Sequence, residues 1–472
     1  MTKRNLWLAV GAIGAGLLLW LKRDHKRPAA VPSPESSGPR VVVLGAGFAG
    51  LTAARKLADR LKGRARITLI DRHNYHLFTP MLYQVAGWGL DAHNVTFPIR
   101  QITGAKGIHF RRGLVTGIDF DAQSVQLDNG EVPYDYLVIA LGTTTNFFGN
   151  EAAEQYAYPL KWLEEGIAIR NRVFDMMEQA ILVADPAERQ ALLTFVVVGG
   201  GATGVEAAAA LADFLQRVLT TDYQTLDPQE SRVILIEMLD RLLPQMNEQV
   251  GAIALRELQK IGVEVWLETT AEEMSSEQVL TEDGRSVNSR TVVWATGVRA
   301  PDVVANLDVP HGKGGALRVN EYLQVLGRPR VYAVGDNAAI EDAETGEPVP
   351  LLAQAATQEG EAVAENVARA IEDRSQLPFH YRHFGNTVTL GRAAGVIEIG
   401  EFTINGIVGW LAWRLVHLAK IIGFRDKLVT VLDWITGYLY RLNTARFEME
   451  PSVGKTSRPE ETEPQLRQAE PT

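Results

Sequence analysis

Two glycine-rich segments carry the residue types most able to bind a cofactor. In the first, RVVVLGAGFAG, a β-branched run leads into Gly45, Gly47 and Gly50, which fit the pattern G-x-G-x-x-G. An amphipathic helical pattern follows, and the next strand candidate, ITLID, ends in Asp71. In such a unit the glycines permit a tight turn, close approach to a pyrophosphate and close helix–strand packing, and the acid accepts from ribose hydroxyls. The spacing therefore predicts a dinucleotide site.

The unit occurs a second time, in TFVVVGGGATG. Gly199, Gly201 and Gly204 again fit the pattern, and the following strand candidate, RVILIE, ends in Glu237. A carboxylate there suits an unphosphorylated ribose and repels a 2′-phosphate, which favours NADH over NADPH. Two units predict two dinucleotides, a tightly held flavin and a diffusible nicotinamide between which hydride passes.

Composition excludes several function classes. The 472 residues carry 47 Lys and Arg against 57 Asp and Glu, so the net charge of −10 argues against a nucleic-acid partner. The chain has no cysteine, which excludes disulfide relays, thiol nucleophiles and iron–sulfur clusters. The nine histidines show no metal-ligand spacing, so no metal site is expected.

The two ends of the chain differ from the body. Residues 5–21 form an uncharged apolar run just long enough for a transmembrane helix, and the heavier positive flank follows it. This predicts a catalytic body on the cytoplasmic side of the cell membrane; the alternative is a secretory signal peptide. Residues 22–39 are rich in Pro and Ser and predict a linker, and the polar residues 452–472 predict a disordered tail.

Together with the segments YDYLVIALGT, TVVWATGVRA and VYAVGDNAA, the glycine units resemble the two-dinucleotide-fold flavoprotein oxidoreductases. A closer resemblance, to the type II, non-proton-pumping NADH:quinone oxidoreductases, is carried by NYHLFTPMLYQVAGW (74–88), LAQAATQEG (352–360) and the C-terminal stretch GWLAWRLVHLAKIIGFRDKLVTVLDWITGYLYR. These belong to the two-dinucleotide-fold FAD- and NAD-linked flavoproteins. The resemblance implies hydride transfer from NADH to non-covalent FAD and transfer of two electrons onward to a membrane quinone. It also implies NADH and the lipid bilayer as partners and a homodimer.

The resemblance also implies the fold and its domains. We expect an α/β protein with two Rossmann-like domains and C-terminal amphipathic membrane-anchoring helices; the apolar run at residues 5–21, and not the resemblance, adds one N-terminal transmembrane helix. The expected bounds are 40–155 for the first part of the FAD domain, 156–300 for the NAD domain, 301–395 for the second FAD part and 396–445 for the membrane-associated region.

Site residues carry over from the family position by position. The resemblance implies Glu206 as the catalytic acid–base group and Gln354 and Gln358 as quinone-binding residues. For FAD it implies Gly45, Gly47, Phe48, Ala49, Gly50, Asp71, Gly142 and Asp336. For NAD it implies Gly199, Gly201, Gly204, Glu237 and Gly297.

Purely structural roles remain open as alternatives for these residues. Glu206 near a helix start also fits favourable placement in the helix dipole, and the two glutamines, four residues apart, also fit a polar surface stripe. Two positions depart from the family: Ala210 stands where a second acid is common, and Phe384 where many members have Lys. A reductase of a protein acceptor such as ferredoxin and a membrane-tethered redox sensor with little turnover remain alternatives.

Residues 404–423 are mostly apolar but include Arg414, His417 and Lys420 at intervals of three. This spacing predicts an amphipathic helix with a basic edge that lies in an anionic membrane interface. A buried helix pair or a dimer interface is the alternative.

Overall fold

The computed structural model of the protein describes residues 38–87 and 89–439. The predicted span 5–21, the predicted tail 452–472 and all but the last two residues of the predicted linker lie outside these ranges. Within the described residues, no helix combines the length and the apolar character that crossing a bilayer requires.

The strands fall into two large parallel sheets and several small ones. They are β1 (Arg40–Leu44), β2 (Arg66–Asp71), β3 (Tyr75–Leu77), β4 (Thr96–Pro98), β5 (His109–Arg112), β6 (Val115–Asp119), β7 (Ser124–Leu127), β8 (Gly130–Pro133), β9 (Tyr136–Ile139), β10 (Thr144–Thr145), β11 (Tyr158–Pro159), β12 (Thr194–Val198), β13 (Arg232–Ile236), β14 (Val263–Trp266), β15 (Ala271–Met274), β16 (Gln278–Thr281), β17 (Ser286–Asn288), β18 (Thr291–Trp294), β19 (Val298–Arg299), β20 (Leu317–Arg318), β21 (Val331–Ala333), β22 (Ala338–Ala339), β23 (Asn386–Thr389), β24 (Gly395–Ile399) and β25 (Phe402–Asn405).

The α-helices connect and cover these sheets. They are α1 (Phe48–Leu61), α2 (Leu82–Ala86), α3 (Ile99–Gly104), α4 (Glu151–Tyr156), α5 (Leu163–Leu182), α6 (Pro186–Leu192), α7 (Ala202–Thr221), α8 (Glu248–Lys260), α9 (Asp302–Ala305), α10 (Ala353–Ile371), α11 (Gly406–Lys420) and α12 (Phe424–Leu439).

The first parallel sheet has the strand order β21-β9-β1-β2-β5. Its strands come from two separated stretches of chain, because β21 pairs with β9 after an interval of nearly two hundred residues. Helix α1 packs on the sheet and against α10, and Val41, Val43 and Leu44 of β1 are fully buried. Such continuous apolar strands are typical of a parallel sheet covered on both faces.

The second parallel sheet repeats the plan, with the order β11-β18-β12-β13-β14. In both sheets the glycine loop follows a central strand and leads directly into a helix. Gly47 caps α1 and Gly201 caps α7, both with extended backbone, as the glycine patterns predict. The protein thus has an α/β fold with two dinucleotide-binding domains.

A small antiparallel sheet, β23-β24-β25, carries the C-terminal helices. Helix α11 lies directly on this sheet: a Cβ on Gly409 would lie 2.3 Å from the carbonyl oxygen of Gly395. The two glycines therefore permit a close helix–strand approach. This packing fixes α11 and α12 against the rest of the molecule.

Candidate active site

A cavity of about 560 Å³ opens at the carboxyl ends of the first sheet, and we call it the first cavity. Ligands of open parallel sheets bind at this edge. Of the eight residues predicted to bind FAD, seven line it: Gly45, Gly47, Phe48, Ala49, Asp71, Gly142 and Asp336.

The glycine loop of the first cavity has the geometry that a dinucleotide pyrophosphate requires. Gly45 has a φ of +93°, and a Cβ there would lie 2.1 Å from the carbonyl oxygen of Ala140. Gly50, the eighth predicted residue, packs against the loop, because its Cβ would lie 1.9 Å from the Gly45 oxygen. Gly47, in contrast, has no heavy atom within 4 Å of its Cβ position, which leaves space for a phosphate beside the N-terminus of α1. The loop therefore fits FAD.

The acids that follow the two glycine motifs brace their own loops. Asp71 accepts hydrogen bonds from the backbone N–H groups of Ala46 and His73, both at 2.7 Å, and burial raises its pKa. Glu237 is buried and accepts from the N–H groups of Gly200 and Leu239. The two units match in position. In each one, one donor directly follows the first glycine of the motif, and the other lies two residues after the acid. The carboxylates thus fix the loops that are to hold the cofactors.

Asp336 lies at the opposite wall of the first cavity, on the turn after β21. Its Oδ2 accepts from Thr143 Oγ1 at 3.3 Å and lies 3.4 Å from Lys161 Nζ. The turn itself is held by Glu359, which accepts from the N–H of Gly335, and burial raises the pKa of Glu359 to about 7. Glu359 is a site residue that sequence reasoning missed, although it belongs to the segment LAQAATQEG.

The second glycine motif has the same loop geometry. Gly199 has a φ of +114°, a Cβ on Gly204 would lie 1.8 Å from the Gly199 oxygen, and Gly201 faces open space. Gly297 packs against the Phe148 ring, 2.4 Å from its Cβ position, on the turn after β18.

The five residues predicted to bind NAD line neither cavity described in this section. However, Thr203 and Glu206, on the helix that Gly201 caps, line the first cavity. The helix of the second glycine unit therefore forms part of the wall of the first cavity.

Glu206 is a buried carboxyl group at the boundary of the first cavity. Its Oε1 accepts from the Thr389 N–H at 3.0 Å and lies 3.4 Å from Thr389 Oγ1, and the Trp413 side chain also hydrogen-bonds to it. Burial outweighs these contacts and raises the pKa of Glu206 to about 8. A carboxyl group with this pKa can give up and take back a proton near neutral pH.

A second cavity, of about 130 Å³, lies on the other side of Glu206. Glu206 and Tyr83 line both cavities. The second cavity is otherwise enclosed by one face of α7, the turn after β23, and the inner faces of α11 and α12. Its lining includes Ala210, Asp213, Arg217, Arg392, Arg414, Asp433 and three tryptophans, Trp410, Trp413 and Trp434.

Tyr83 connects Glu206 to the C-terminal helices through a buried chain of hydrogen bonds. The Tyr83 hydroxyl lies 2.6 Å from Thr389 Oγ1 and accepts from Gln84 Nε2 at 3.0 Å. Gln84 Oε1 in turn accepts from the Trp434 indole N–H at 3.1 Å. Tyr83 belongs to the segment 74–88 that carries the resemblance, whereas Thr389 and Trp434 have no local sequence signal.

Gln354 and Gln358 hold a loop and line neither cavity. Gln354 Oε1 accepts from Phe384 N–H at 3.1 Å, and its Nε2 donates to the Gly385 oxygen at 2.9 Å. Gln358 makes the same paired contacts to the N–H and carbonyl of Arg382, at 3.0 and 2.9 Å. The two amides thus clamp residues 382–385 to α10, and Phe384 stays exposed.

The first turn of the same helix reaches the first cavity. Its lining includes Leu352, Ala353 and Ala356, which alternate with the two clamping glutamines along the start of α10. The clamped loop is therefore attached to an element that borders the cofactor site.

The prediction that α11 has a basic edge is wrong. His417 is buried, stacks on Trp413 with ring centroids 3.9 Å apart, and burial lowers its pKa to about 4. The Arg414 guanidinium carbon, Cζ, lies 4.1 Å from the ring centroid of Trp410 and 4.3 Å from that of Trp434. Only Lys420 remains exposed. The outer faces of α11 and α12 are instead apolar, with exposed Ile407, Val408, Leu411, Leu415, Val416, Phe424, Leu428, Leu432, Ile435 and Leu439.

Comparison with known proteins gives a consistent set of relatives. Residues 39–360 match the pyridine nucleotide-disulphide oxidoreductase family. A type II NADH:quinone oxidoreductase of Mycobacterium tuberculosis is 33% identical over 416 residues, which cover 85% of this chain and 88% of the relative. A demethylphylloquinone reductase of Synechocystis is 30% identical over 412 residues, covering 84% and 96%. The solved structure of NDH2 from Plasmodium falciparum in complex with NADH shares the fold, with a TM-score of 0.80 at 18% identity, covering 86% of this chain and 99% of that one.

Proposed function

The chain belongs to the pyridine nucleotide-disulphide oxidoreductases and, within them, to the type II NADH:quinone oxidoreductases, and from this membership we propose a role for each group of its site. The protein is an FAD-dependent enzyme that transfers hydride from NADH to FAD and two electrons onward to a quinone, without proton pumping.

FAD belongs in the first cavity. The open space at Gly47, the braced Asp71 and the opposite wall at Asp336 support this assignment. Bound FAD supplies the two-electron chemistry, and the protein supplies position and electrostatics. Gly142 contributes the turn that closes the cavity between these walls, since its N–H donates to Asn337 Oδ1 at 2.9 Å on the Asp336 turn.

NADH belongs at the second glycine unit, with its nicotinamide end directed to the first cavity. The observation that carries this proposal is that Thr203 and Glu206, on the helix of the NADH unit, line the cavity of the FAD unit. Glu237 supports NADH over NADPH, because a buried carboxylate at the ribose disfavours a further phosphate.

Glu206 exchanges the proton that quinone reduction requires. It borders the first cavity, and its raised pKa of about 8 keeps it protonated at neutral pH. We assign Gln354 and Gln358 to the quinone site through the loop they hold: their paired contacts attach residues 382–385 to the end of α10 that borders the first cavity.

The outer face of α11 and α12 is the surface that we propose for the bilayer. Large apolar side chains are exposed along both of these helices, which is typical of a membrane or protein contact. A span at residues 5–21 would hold the catalytic body at the cytoplasmic side of the cell membrane. The same apolar patch also offers area for a homodimer.

An anaerobic stopped-flow experiment on the FAD-loaded protein tests this function. NADH should bleach the visible flavin absorbance quickly and NADPH slowly, and a short-chain quinone injected afterwards should restore the absorbance. Bleaching without recovery would contradict the quinone assignment and favour a protein acceptor or a redox sensor. Absence of bleaching would contradict the assignment of NADH to the second glycine unit.

A further inference from the structure

The second cavity contains a carboxyl group for which the proposed function has no role, Asp213. It lies on α7 seven residues after Glu206, which is almost two full helical turns, so the two side chains share one face about 10 Å apart. Ala210 lies between them on the same face, and the Gly87 backbone packs against its methyl group, so that a Cβ on Gly87 would lie 2.4 Å from the Ala210 Cβ. The helix thus presents two acids, one on each side of Ala210, to one cavity.

Asp213 lies nearer to the surface than Glu206. It is half-buried, whereas Glu206 is buried, and Arg392 at the mouth of the second cavity is exposed. The backbone N–H of Arg392 donates to Asp213, and Oδ2 of Asp213 lies 3.1 Å from the Cβ position of Gly391. The second cavity therefore runs from a solvent-exposed turn to a buried carboxyl group.

Charges of both signs face Asp213 in this cavity. Burial raises its pKa to about 6, and the Arg392 charge acts in the opposite direction. The other charged and titratable groups that line the cavity are Arg217 on α7, Arg414 on α11, Asp433 on α12, Tyr83 on α2 and Glu206.

Glu206 needs a supply of protons that does not depend on the first cavity. The overall reaction, NADH + H⁺ + quinone → NAD⁺ + quinol, takes up one proton from water in each turnover. In the proposed function, the first cavity holds FAD and the reacting ends of the substrates. The hydrogen-bonded chain through Thr389 and Tyr83 ends at the Gln84 amide and the Trp434 indole, which do not relay protons. The second cavity connects Glu206 to Asp213 and to the exposed Arg392.

We propose that Asp213 passes protons from the mouth of the second cavity at Arg392 to Glu206, across water held in that cavity. The inference rests on the proposed function, because it deepens the role of Glu206. A cavity of about 130 Å³ has room for a few water molecules, each of which takes about 30 Å³ in the liquid, and polar groups surround this space. Asp213 acts through Glu206 and does not touch the substrates.

The test compares three variants of the FAD-loaded enzyme. Asp213→Asn removes the relay, Asp213→Glu restores a carboxyl group, and Asp433→Asn is the matched control. Asp433 lines the same cavity from α12 but is engaged by the side-chain amide of Asn94. Flavin reduction by NADH and reoxidation by a short-chain quinone are followed separately across pH 5.5 to 9.

A second readout does not depend on turnover. The infrared carboxyl band of Glu206 is assigned as the band that Glu206→Gln removes. Its shift after rapid mixing into deuterated buffer then reports how quickly solvent protons reach Glu206. In Asp213→Asn we expect this exchange and quinone reoxidation to slow about tenfold, with an unchanged NADH step and no inflection of the reoxidation profile near pH 6. Asp213→Glu should recover both rates, and Asp433→Asn should match the wild type.

Each other outcome is decisive. Wild-type exchange and reoxidation in Asp213→Asn would overturn the proposal and place proton entry at the first cavity. Slow reoxidation with wild-type exchange would also overturn it, because Asp213 would then act only on the structure. If quinone does not reoxidise the wild-type enzyme, the proposed function fails, and the exchange rates still decide whether Asp213 supplies Glu206.

Discussion

Single residues show that the two glycine loops are braced in the same way. Asp71 and Glu237 occupy equivalent places, and each uses both carboxylate oxygens on backbone N–H groups of its own unit. In the proposed function, the negative charge of each carboxylate faces the ribose of the bound nucleotide. A shorter acid at the first loop and a longer one at the second therefore perform the same bracing task and add a selectivity against phosphate.

Replacing Glu237 by Gln should weaken the preference for NADH. The amide oxygen can still accept from one backbone N–H, but the negative charge that opposes a 2′-phosphate is gone. We expect the ratio of kcat/KM for NADH to that for NADPH to fall by about tenfold, since one charge contact of this kind is worth more than 1 kcal/mol. Asp240→Asn, an exposed charge loss three residues later, is the control and should leave the ratio unchanged.

Glu206→Gln should change how stability depends on pH. The pKa of Glu206 is about 8 in the folded protein against an ordinary value of 4.5, so folding favours the protonated form. The stability from this group is complete below pH 4.5 and is lost as the pH rises through the folded pKa, at most about 1.4 kcal/mol per pH unit. Thermal melts at pH 5, 6.5 and 8 should show the variant gaining on the wild type as the pH rises. A constant difference would contradict the raised pKa.

Residue patterns predicted the cofactor loops well because those loops are local. Gly45, Gly47 and Gly50 lie within six residues of one another, and the constraints that require glycine there come from the adjacent strand and helix. The contacts of Glu206 are different. Thr389 and Trp413 approach from the C-terminal part of the chain, and no spacing in the sequence relates them to α7.

At the scale of elements, the start of α10 shows the same limit. The sequence marks Gln354 and Gln358 as a pair on one helix face, and the structure places them there. It could not show that both amides clamp residues 382–385, because that loop reaches α10 only through the tertiary fold. The prediction of a basic edge on α11 was wrong for the same reason. His417 stacks on Trp413 and Arg414 packs on Trp434, so tertiary packing determines which face of α11 turns inward.

Breaking the clamp should affect the quinone step alone. Gln354→Ala leaves the Phe384 N–H and the Gly385 carbonyl without their partners, so residues 382–385 should move away from α10. We expect KM for quinone to rise about threefold to tenfold, because each lost hydrogen bond is worth about 1 kcal/mol, with no change in flavin bleaching by NADH. Thr357→Val is the control on the same helix, since its hydroxyl bonds only to the Ala353 carbonyl. A slower NADH step in Gln354→Ala would contradict a role confined to the loop.

At the scale of the whole molecule, α11 and α12 present two different faces. Their inner faces supply the tryptophans and Arg414 that enclose the second cavity. Their outer faces expose a row of large apolar side chains. The apolar surface and the cavity lined by Glu206 and Asp213 therefore lie on opposite faces of the same two helices. If the proposed membrane contact is correct, it would bring a lipid-soluble acceptor close to this cavity.

A charge on the outer face should separate membrane contact from catalysis. Leu415 is 66% exposed on α11, and Leu415→Asp adds a charge without touching the second cavity. Because a charge is costly at an apolar membrane surface, we expect turnover with a long-chain quinone in anionic vesicles to fall severalfold, while turnover with a soluble short-chain quinone stays near the wild-type rate. Leu182→Asp, a substitution at the exposed end of α5 with 84% exposure, should leave both unchanged. Equal loss with both quinones would indicate that the face supports the fold or a dimer, and the membrane assignment of α11 and α12 would then be wrong.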